Sequence, residues 1–179
     1  MENFTETQLS TETVFEGRVI KVHYDQVRLP NGHTSTREVV RHPGAVAVLA
    51  VTEDNKVILV EQYRYACAKV LLEIPAGKLD IAGESPEHCA FRELAEETPY
   101  TAQHMKLIYT FYTAAGFCDE LMYLYQASGL QANSQASADE DEFVRTVYLS
   151  KAEVQQALAE QKIQDSKTLI ALQYWLAQS

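Results

Sequence analysis

The run Ala45-Val46-Ala47-Val48-Leu49-Ala50-Val51-Thr52 is apolar on both sides of an extended chain. A strand of this kind has two faces that must leave water, so it belongs in the middle of a sheet with other layers covering it. The segments around it supply strands first. Val14 to Ile20 and Lys21 to Leu29 alternate apolar and polar residues, Pro30-Asn31-Gly32 makes a turn, and Thr34 to Arg41 returns as a third strand. After the central strand, Glu53-Asp54-Asn55 turns the chain and Lys56 to Tyr65 runs back. Lys106 to Thr113, Leu121 to Ala127 and Phe143 to Leu149 read as further strands.

Three helices are expected. Ser85 is a good N-cap, with Pro86 at the first helical position and Glu87 just inside it, for a helix running to Glu97. Ser150-Lys151-Ala152-Glu153 is a capping box opening a helix to about Gln161, and Asp165 or Ser166 caps a last one. Strands first, one helix in the middle and two at the end predict an α+β chain with a mixed sheet between helical layers. No repeat interrupts this order, and Gln131 to Asp139 is the nearest thing to a linker. At 179 residues the chain fits one domain with an N-terminal extension: an antiparallel strand segment over 1–41 and the main domain over 42–179.

Composition narrows the functions. A formal net charge of −10 works against binding long polyanions such as DNA or RNA, but permits a small phosphorylated substrate if a metal ion mediates the contact. No apolar run approaches the roughly 18 residues of a membrane span. The polar, acidic N-terminus is the opposite of a signal peptide's order. Cys67, Cys89 and Cys118 stand at no metal-ligand spacing, which suits a reducing cytoplasm. Cys89 is expected as a small core residue, off the glutamate face of its helix.

That face is Glu93, Glu96 and Glu97, spaced i, i+3 and i+4. Like charges so crowded repel by a few tenths of a kcal/mol per pair, and a hard divalent cation is the simplest compensation. A solvated acidic face is the plain alternative. Against it stands the apolar segment Glu73-Ile74-Pro75-Ala76-Gly77-Lys78-Leu79, which puts a buried strand and loop beside the acids.

Taken with that loop, the run Glu84-(seven residues)-Arg92-Glu93-Leu94-Ala95-Glu96-Glu97 resembles the box of the Nudix hydrolases. Leu29-Pro30-Asn31-Gly32, Arg41-His42-Pro43-Gly44-Ala45-Val46, Glu61-Gln62-Tyr63-Arg64, Gly116-Phe117-Cys118-Asp119-Glu120 and Asp139 to Phe143 extend the likeness to the bacterial ADP-ribose pyrophosphatases over nearly the whole chain. The resemblance implies an α/β/α sandwich and a homodimer that exchanges its N-terminal strands. It implies hydrolysis of ADP-ribose to AMP and ribose 5-phosphate, with Mg²⁺ as cofactor or Mn²⁺ in its place. Other nucleoside diphosphate sugars, dinucleotides, or binding without hydrolysis are the alternatives.

By the same resemblance Glu93 and Glu97 are principal metal ligands, Glu96 is an additional ligand or orients the water, and the Ala76 carbonyl lies nearby. Glu84 and Arg92 form a supporting ion pair beside Gly77. The general base comes from Asp139-Glu140-Asp141-Glu142, with Glu142 preferred to Glu140. Arg64 and Arg41, with Phe117 and Glu120, contact the substrate, and Phe15 or Tyr24 is a candidate to stack an adenine. Three features depart from the pattern. Six residues, where five are usual, separate Gly77 from Glu84. Ala114-Ala115 replaces Ser-Pro before Gly116. Pro99 stands in place of a helix-ending Gly, so the helix is expected to end differently, a residue early, and to disturb Glu97.

Overall fold

The computed structural model describes residues 4–133 and 143–178. Its strands are β1 (Thr7–Glu16), β2 (Lys21–Arg28), β3 (Thr34–Arg41), β4 (Ala45–Leu49), β5 (Lys56–Arg64), β6 (Lys69–Glu73), β7 (Ala76–Lys78), β8 (Tyr100–Thr101), β9 (His104–Tyr112), β10 (Leu121–Ser128), β11 (Gln131–Ala132) and β12 (Val144–Ser150). Its α-helices are α1 (Pro86–Glu97), α2 (Lys151–Ala159) and α3 (Ser166–Leu176). The chain forms two compact units: one holds the residues up to Gly44 together with Tyr112–Leu121, the other Ala45–Phe111 and the chain from Met122 onward.

In the larger unit β4 is the organising strand. It pairs parallel with β10 and antiparallel with β7, in a mixed sheet ordered β7-β4-β10-β9. A second, antiparallel sheet is ordered β12-β5-β6. All five residues of β4 are buried, and their alternation divides them between two cores. Ala45, Ala47 and Leu49 pack with Val154 and Ala157 of α2 and with Ala171, Leu172 and Trp175 of α3. Val46, Val48 and the following Ala50 pack with Cys89, Ala90 and Leu94 of α1. The period-2 reversal of side chains thus puts one helical layer on each face, as the doubly apolar run predicts. Each fully buried Val or Leu contributes about 1.5–3 kcal/mol through removal from water.

The helix ends follow local chemistry. The Ser85 hydroxyl accepts from the His88 N–H at 3.2 Å, with Pro86 at the first position, and the α2 capping box of Ser150 and Glu153 is complete. At the other end of α1, Pro99 forces its predecessor out of helical conformation: Thr98 sits at φ −136°, ψ 158°. Helical residues nevertheless continue through Glu97. The Thr98 N–H still donates to Leu94 O at 3.2 Å, and its buried hydroxyl donates to the same carbonyl. A threonine hydroxyl here takes over the termination that glycine usually provides.

In the smaller unit β1-β2-β3 form an antiparallel sheet, with Gly32 at φ +85° in the β2–β3 turn. The first strand lies earlier than the alternation predicts. It begins at Thr7, and the Gly17 N–H donates to Ile20 O at 2.9 Å, so Val19 and Ile20 fall in a turn. All of β1 is exposed on both faces; its order comes from pairing with β2 rather than from burial, which is why an apolar-polar pattern misplaces it. The segment around Phe117 joins this unit through Val40, whose N–H donates to Phe117 O at 2.7 Å and whose carbonyl accepts from the Asp119 N–H at 3.1 Å. Phe15 and Tyr24 are exposed on the first two strands, outside the core.

Candidate active site

The glutamate face of α1 is pressed against β7 and the loop before it. Glu93 and Glu97 are buried, at 8% and 5% exposure. One Glu97 carboxylate oxygen accepts from the Ala76 N–H at 3.0 Å. Glu93 lies over Gly77: a Cβ built on that glycine would stand 1.8 Å from the Glu93 carboxyl carbon. Glycine is therefore required by close approach, and the acids are aimed at the loop rather than at solvent. Cys89 is a core residue as expected, but on the same side as Glu93 and not off it: its thiol donates to Lys78 O at 3.4 Å and lies 4.0 Å from a Glu93 oxygen. Burial pushes that thiol up to about 12, so it stays protonated.

Arg92 holds the acidic face together. It forks onto Glu84 (Nε to Oε1 at 3.1 Å, Nη2 to Oε2 at 2.9 Å) and also pairs through Nη1 with Glu93 and Glu96, each at 2.8 Å. The extra residue before Glu84 does not spoil this fork. It is taken up in a turn in which the Glu84 N–H donates to Ile81 O at 3.1 Å and Gly83 adopts φ +83°. The Arg92 guanidinium, with help from His88, brings the Glu84 carboxyl down to about 2. A carboxyl depressed by folding stabilises the native state above its unfolded value of 4.5 and loses that contribution as pH falls from there toward 2. Melting temperatures of wild type and Glu84→Gln should therefore differ most above pH 5 and converge toward about pH 2. A constant difference across that window would contradict the assignment.

The donors along this face are carboxylates, all oxygen, which fits a hard divalent cation. Among the described residues no three His, Cys, Asp or Glu groups are already gathered as a closed cage. Arg92 and the Ala76 N–H engage carboxylate oxygens that such an ion would share.

Arg64, at the end of β5, forks onto Glu73 through Nε at 2.7 Å and Nη2 at 2.8 Å. Glu73 is 1% exposed and also pairs with Lys167. Burial alone would raise the Glu73 carboxyl, but Arg64 and Lys167 outweigh it and hold the group below the ordinary range. Arg64 is held charged chiefly by Glu73, with the nearby Glu97 and Asp165 adding. Sequence reasoning found Arg64 but missed its partners. A Glu entering an apolar Ile-Pro-Ala-Gly stretch does signal a need for a buried cation. Nothing local says that one cation lies across a hairpin and the other ninety-four positions away.

In the smaller unit, Arg41 and Phe117 line a cavity of about 400 Å³ shared with Arg37, Tyr112 and Cys118. Arg41 Nη1 donates to Asp119 Oδ2 at 3.0 Å, while Asp119 Oδ1 accepts from the His42 N–H at 2.8 Å. Phe117 is exposed. Glu120 accepts from the Thr113 hydroxyl and lies 3.7 Å from His42 Nδ1. Glu140 and Glu142 lie outside the described residues.

Residues 41–172 match the Nudix domain, and residues 6–40 match the nucleoside diphosphate sugar hydrolase N-terminal domain. A methanol dehydrogenase activator of Bacillus methanolicus is 51% identical, covering 96% of this chain and 92% of that protein. An ADP-ribose pyrophosphatase of Bacillus subtilis (strain 168) is 43% identical, covering 97% and 94% respectively. The crystal structure of an ADP compounds hydrolase shares the fold, with a TM-score of 0.82 at 24% identity over 96% of this chain and 94% of that one. On the match to residues 41–172 and the identity of these relatives, the chain belongs to the Nudix family of hydrolases.

Proposed function

We propose that this Nudix pyrophosphohydrolase hydrolyses ADP-ribose, adding water across a P–O bond of the pyrophosphate to give AMP and ribose 5-phosphate. The observation that carries the reaction is the buried corner in which Glu93 and Glu97 meet Ala76 and Gly77. The relative named ADP-ribose pyrophosphatase, similar along nearly its whole length, supports the substrate.

In this reading Glu93, Glu97 and the Ala76 carbonyl would hold Mg²⁺, or Mn²⁺ in its place, with Glu96 as a further ligand or orienting the water. The cation would supply neutralisation of charge on the bridging and leaving oxygens. Arg64 would donate to phosphate oxygens, a task that suits a guanidinium's planar fork. Arg41, Phe117 and Glu120 are proposed as further substrate contacts. A carboxylate of Asp139–Glu142, Glu142 before Glu140, would take the proton of the attacking water. The segment 1–41 would exchange between the subunits of a homodimer. A cytoplasmic setting accords with three free cysteines, and among the described residues no helix is long and apolar enough to cross a membrane.

The test is a panel of ADP-ribose, other nucleoside diphosphate sugars and dinucleotides with Mg²⁺, comparing wild type with Glu97→Gln. ADP-ribose should be the preferred substrate, and Glu97→Gln should be slower by about 10²-fold or more, the usual scale for a lost charge-stabilising group. Equal rates in both proteins would remove Glu97 from the ligand set. A second reading follows the relative named for activating a dehydrogenase: a module that binds ADP-ribose or a partner without hydrolysis. Retained ADP-ribose binding with no turnover of any pyrophosphate would select it.

A further inference from the structure

The first turn of α3 grips the segment that leads to Ala76 and Gly77. The Asp165 carboxylate caps this helix, accepting from the Thr168 N–H at 2.9 Å and hydroxyl at 2.6 Å, and pairing with Lys167 Nζ at 3.0 Å. The Thr168 hydroxyl in turn accepts from the Ile74 N–H at 2.9 Å. Lys167 Nζ continues to Glu73, on the carboxylate oxygen that also receives Arg64 Nη2. The result is a four-charge chain, Asp165-Lys167-Glu73-Arg64, with two anions and two cations.

Exposure is lowest at Glu73, 1%, and rises through 9% at Lys167 to 16% at Asp165 on one side and to 39% at Arg64 on the other, so Arg64 is the most open member. The fork onto Glu73 uses Nε and Nη2 of Arg64, and its Nη1 edge has no hydrogen-bond partner among the described residues. A guanidinium carries five N–H donors, so donors remain after the fork. Whether Arg64 can offer them outward depends on how strongly Glu73 draws it in. A buried carboxylate with one cationic partner cannot release that partner cheaply, because an uncompensated buried charge is costly. With two partners it can share.

We propose that Lys167 is a positioning residue for the reaction: by taking its share of the Glu73 carboxylate, it leaves Arg64 free to turn part of its guanidinium toward the phosphates of a nucleoside diphosphate. This rests on the reading of Arg64 as a substrate contact. Lys167 itself touches no substrate. Its effect is on binding, which separates it from the acids of α1.

Replacing Lys167 with Met keeps the side chain's length and removes its charge. For Lys167→Met, KM for ADP-ribose should rise about tenfold with kcat within about twofold, the pattern of a lost interaction made equally in ground and transition states. Lys167→Arg, which keeps a cation on Glu73, should recover most of the affinity. Leu172→Ala, which loosens the same helix from its core without touching Glu73, should lower the melting temperature and leave KM unchanged. A Lys167→Met protein that loses stability but keeps its KM would overturn the proposal, as would failure of Lys167→Arg to recover affinity. Calorimetric binding of an ADP-ribose analogue with a non-hydrolysable P–C–P bridge separates this from the catalytic reading. Wild type that binds the analogue more tightly than Lys167→Met, yet cleaves nothing, would sink hydrolysis and keep the positioning role. Equal binding by both proteins would sink the positioning role, whatever the rates.

Discussion

Gly77→Ala should fold normally and lose about 10²-fold in kcat, the scale of a misplacement of about 1 Å in a catalytic constellation. The backbone raises no objection, because Gly77 is not among the glycines with positive φ. The objection is volume. The new methyl would lie 1.8 Å from the Glu93 carboxyl carbon and 1.9 Å from one of its oxygens, far inside contact distance. The obstructing atoms are the end of a flexible side chain, so the protein can relieve the clash by swinging Glu93 aside. That movement spares stability and costs function, since Glu93 then abandons the corner beside Ala76. The melting temperature should stay within a few degrees of wild type while turnover of ADP-ribose collapses. Unchanged turnover in a folded Gly77→Ala protein would show that the position of Glu93 over this glycine has no bearing on the reaction.

Arg92→Ala should be the most destabilising change among the charged residues of the box. The Glu84 side chain is 5% exposed and would lose its fork, keeping the contact with exposed His88 at 3.1 Å and one with the Cys89 thiol. Removing one partner of a part-buried pair costs about 1–3 kcal/mol, between the exposed and the buried limits. For a chain of this size that is a fall of roughly 2–12 °C in melting temperature. Glu93 and Glu96 lose the same guanidinium, so repulsion along the helix face adds to the loss and activity should fall with stability. Arg92→Lys should restore only part of either, because an ammonium is a point charge and cannot fork onto Glu84 while reaching two further carboxylates. A melting temperature for Arg92→Ala within a degree of wild type would contradict the reading. Measured together, the two variants separate the roles: glycine sets where an acid points, arginine sets whether the acids can stand together at all.

What could be read from the sequence was what depends on neighbours in the chain. The capping residues Ser85, Ser150 and Asp165 act within one helical turn, and all three open helices. The doubly apolar Ala45–Leu49 declares its own burial. The fork between Glu84 and Arg92 was implied by the resemblance to the Nudix box rather than by local spacing, since Glu84 lies ahead of the helix that carries Arg92. What escaped was set by pairing or by distance. β1 owes its extent to its register with β2, and its polar Thr-rich start carries no burial signal. Lys167 looks like any first-turn lysine until the fold brings Glu73 to it. Pro99 signals in the sequence that the usual glycine ending is missing, but the helix does not end a residue early as that signal suggests: the buried Thr98 hydroxyl on Leu94 O closes it after Glu97, which needs three-dimensional placement.

The division of β4 between two cores also sets where this family member can change length. A strand whose alternate residues serve opposite layers has no spare position. Deleting one residue between Ala45 and Ala50 would send each side chain beyond the deletion to the opposite face, so Val-sized groups would meet the space now filled by alanines and the reverse. Both helical layers would lose their fit together. The turn at Ile81–Glu84 lies at the other extreme, since it takes up a residue beside Gly83 while Glu84 keeps its fork on Arg92. Insertions and deletions among natural relatives, or in a library of them, should therefore accumulate at that turn and be absent from the central strand.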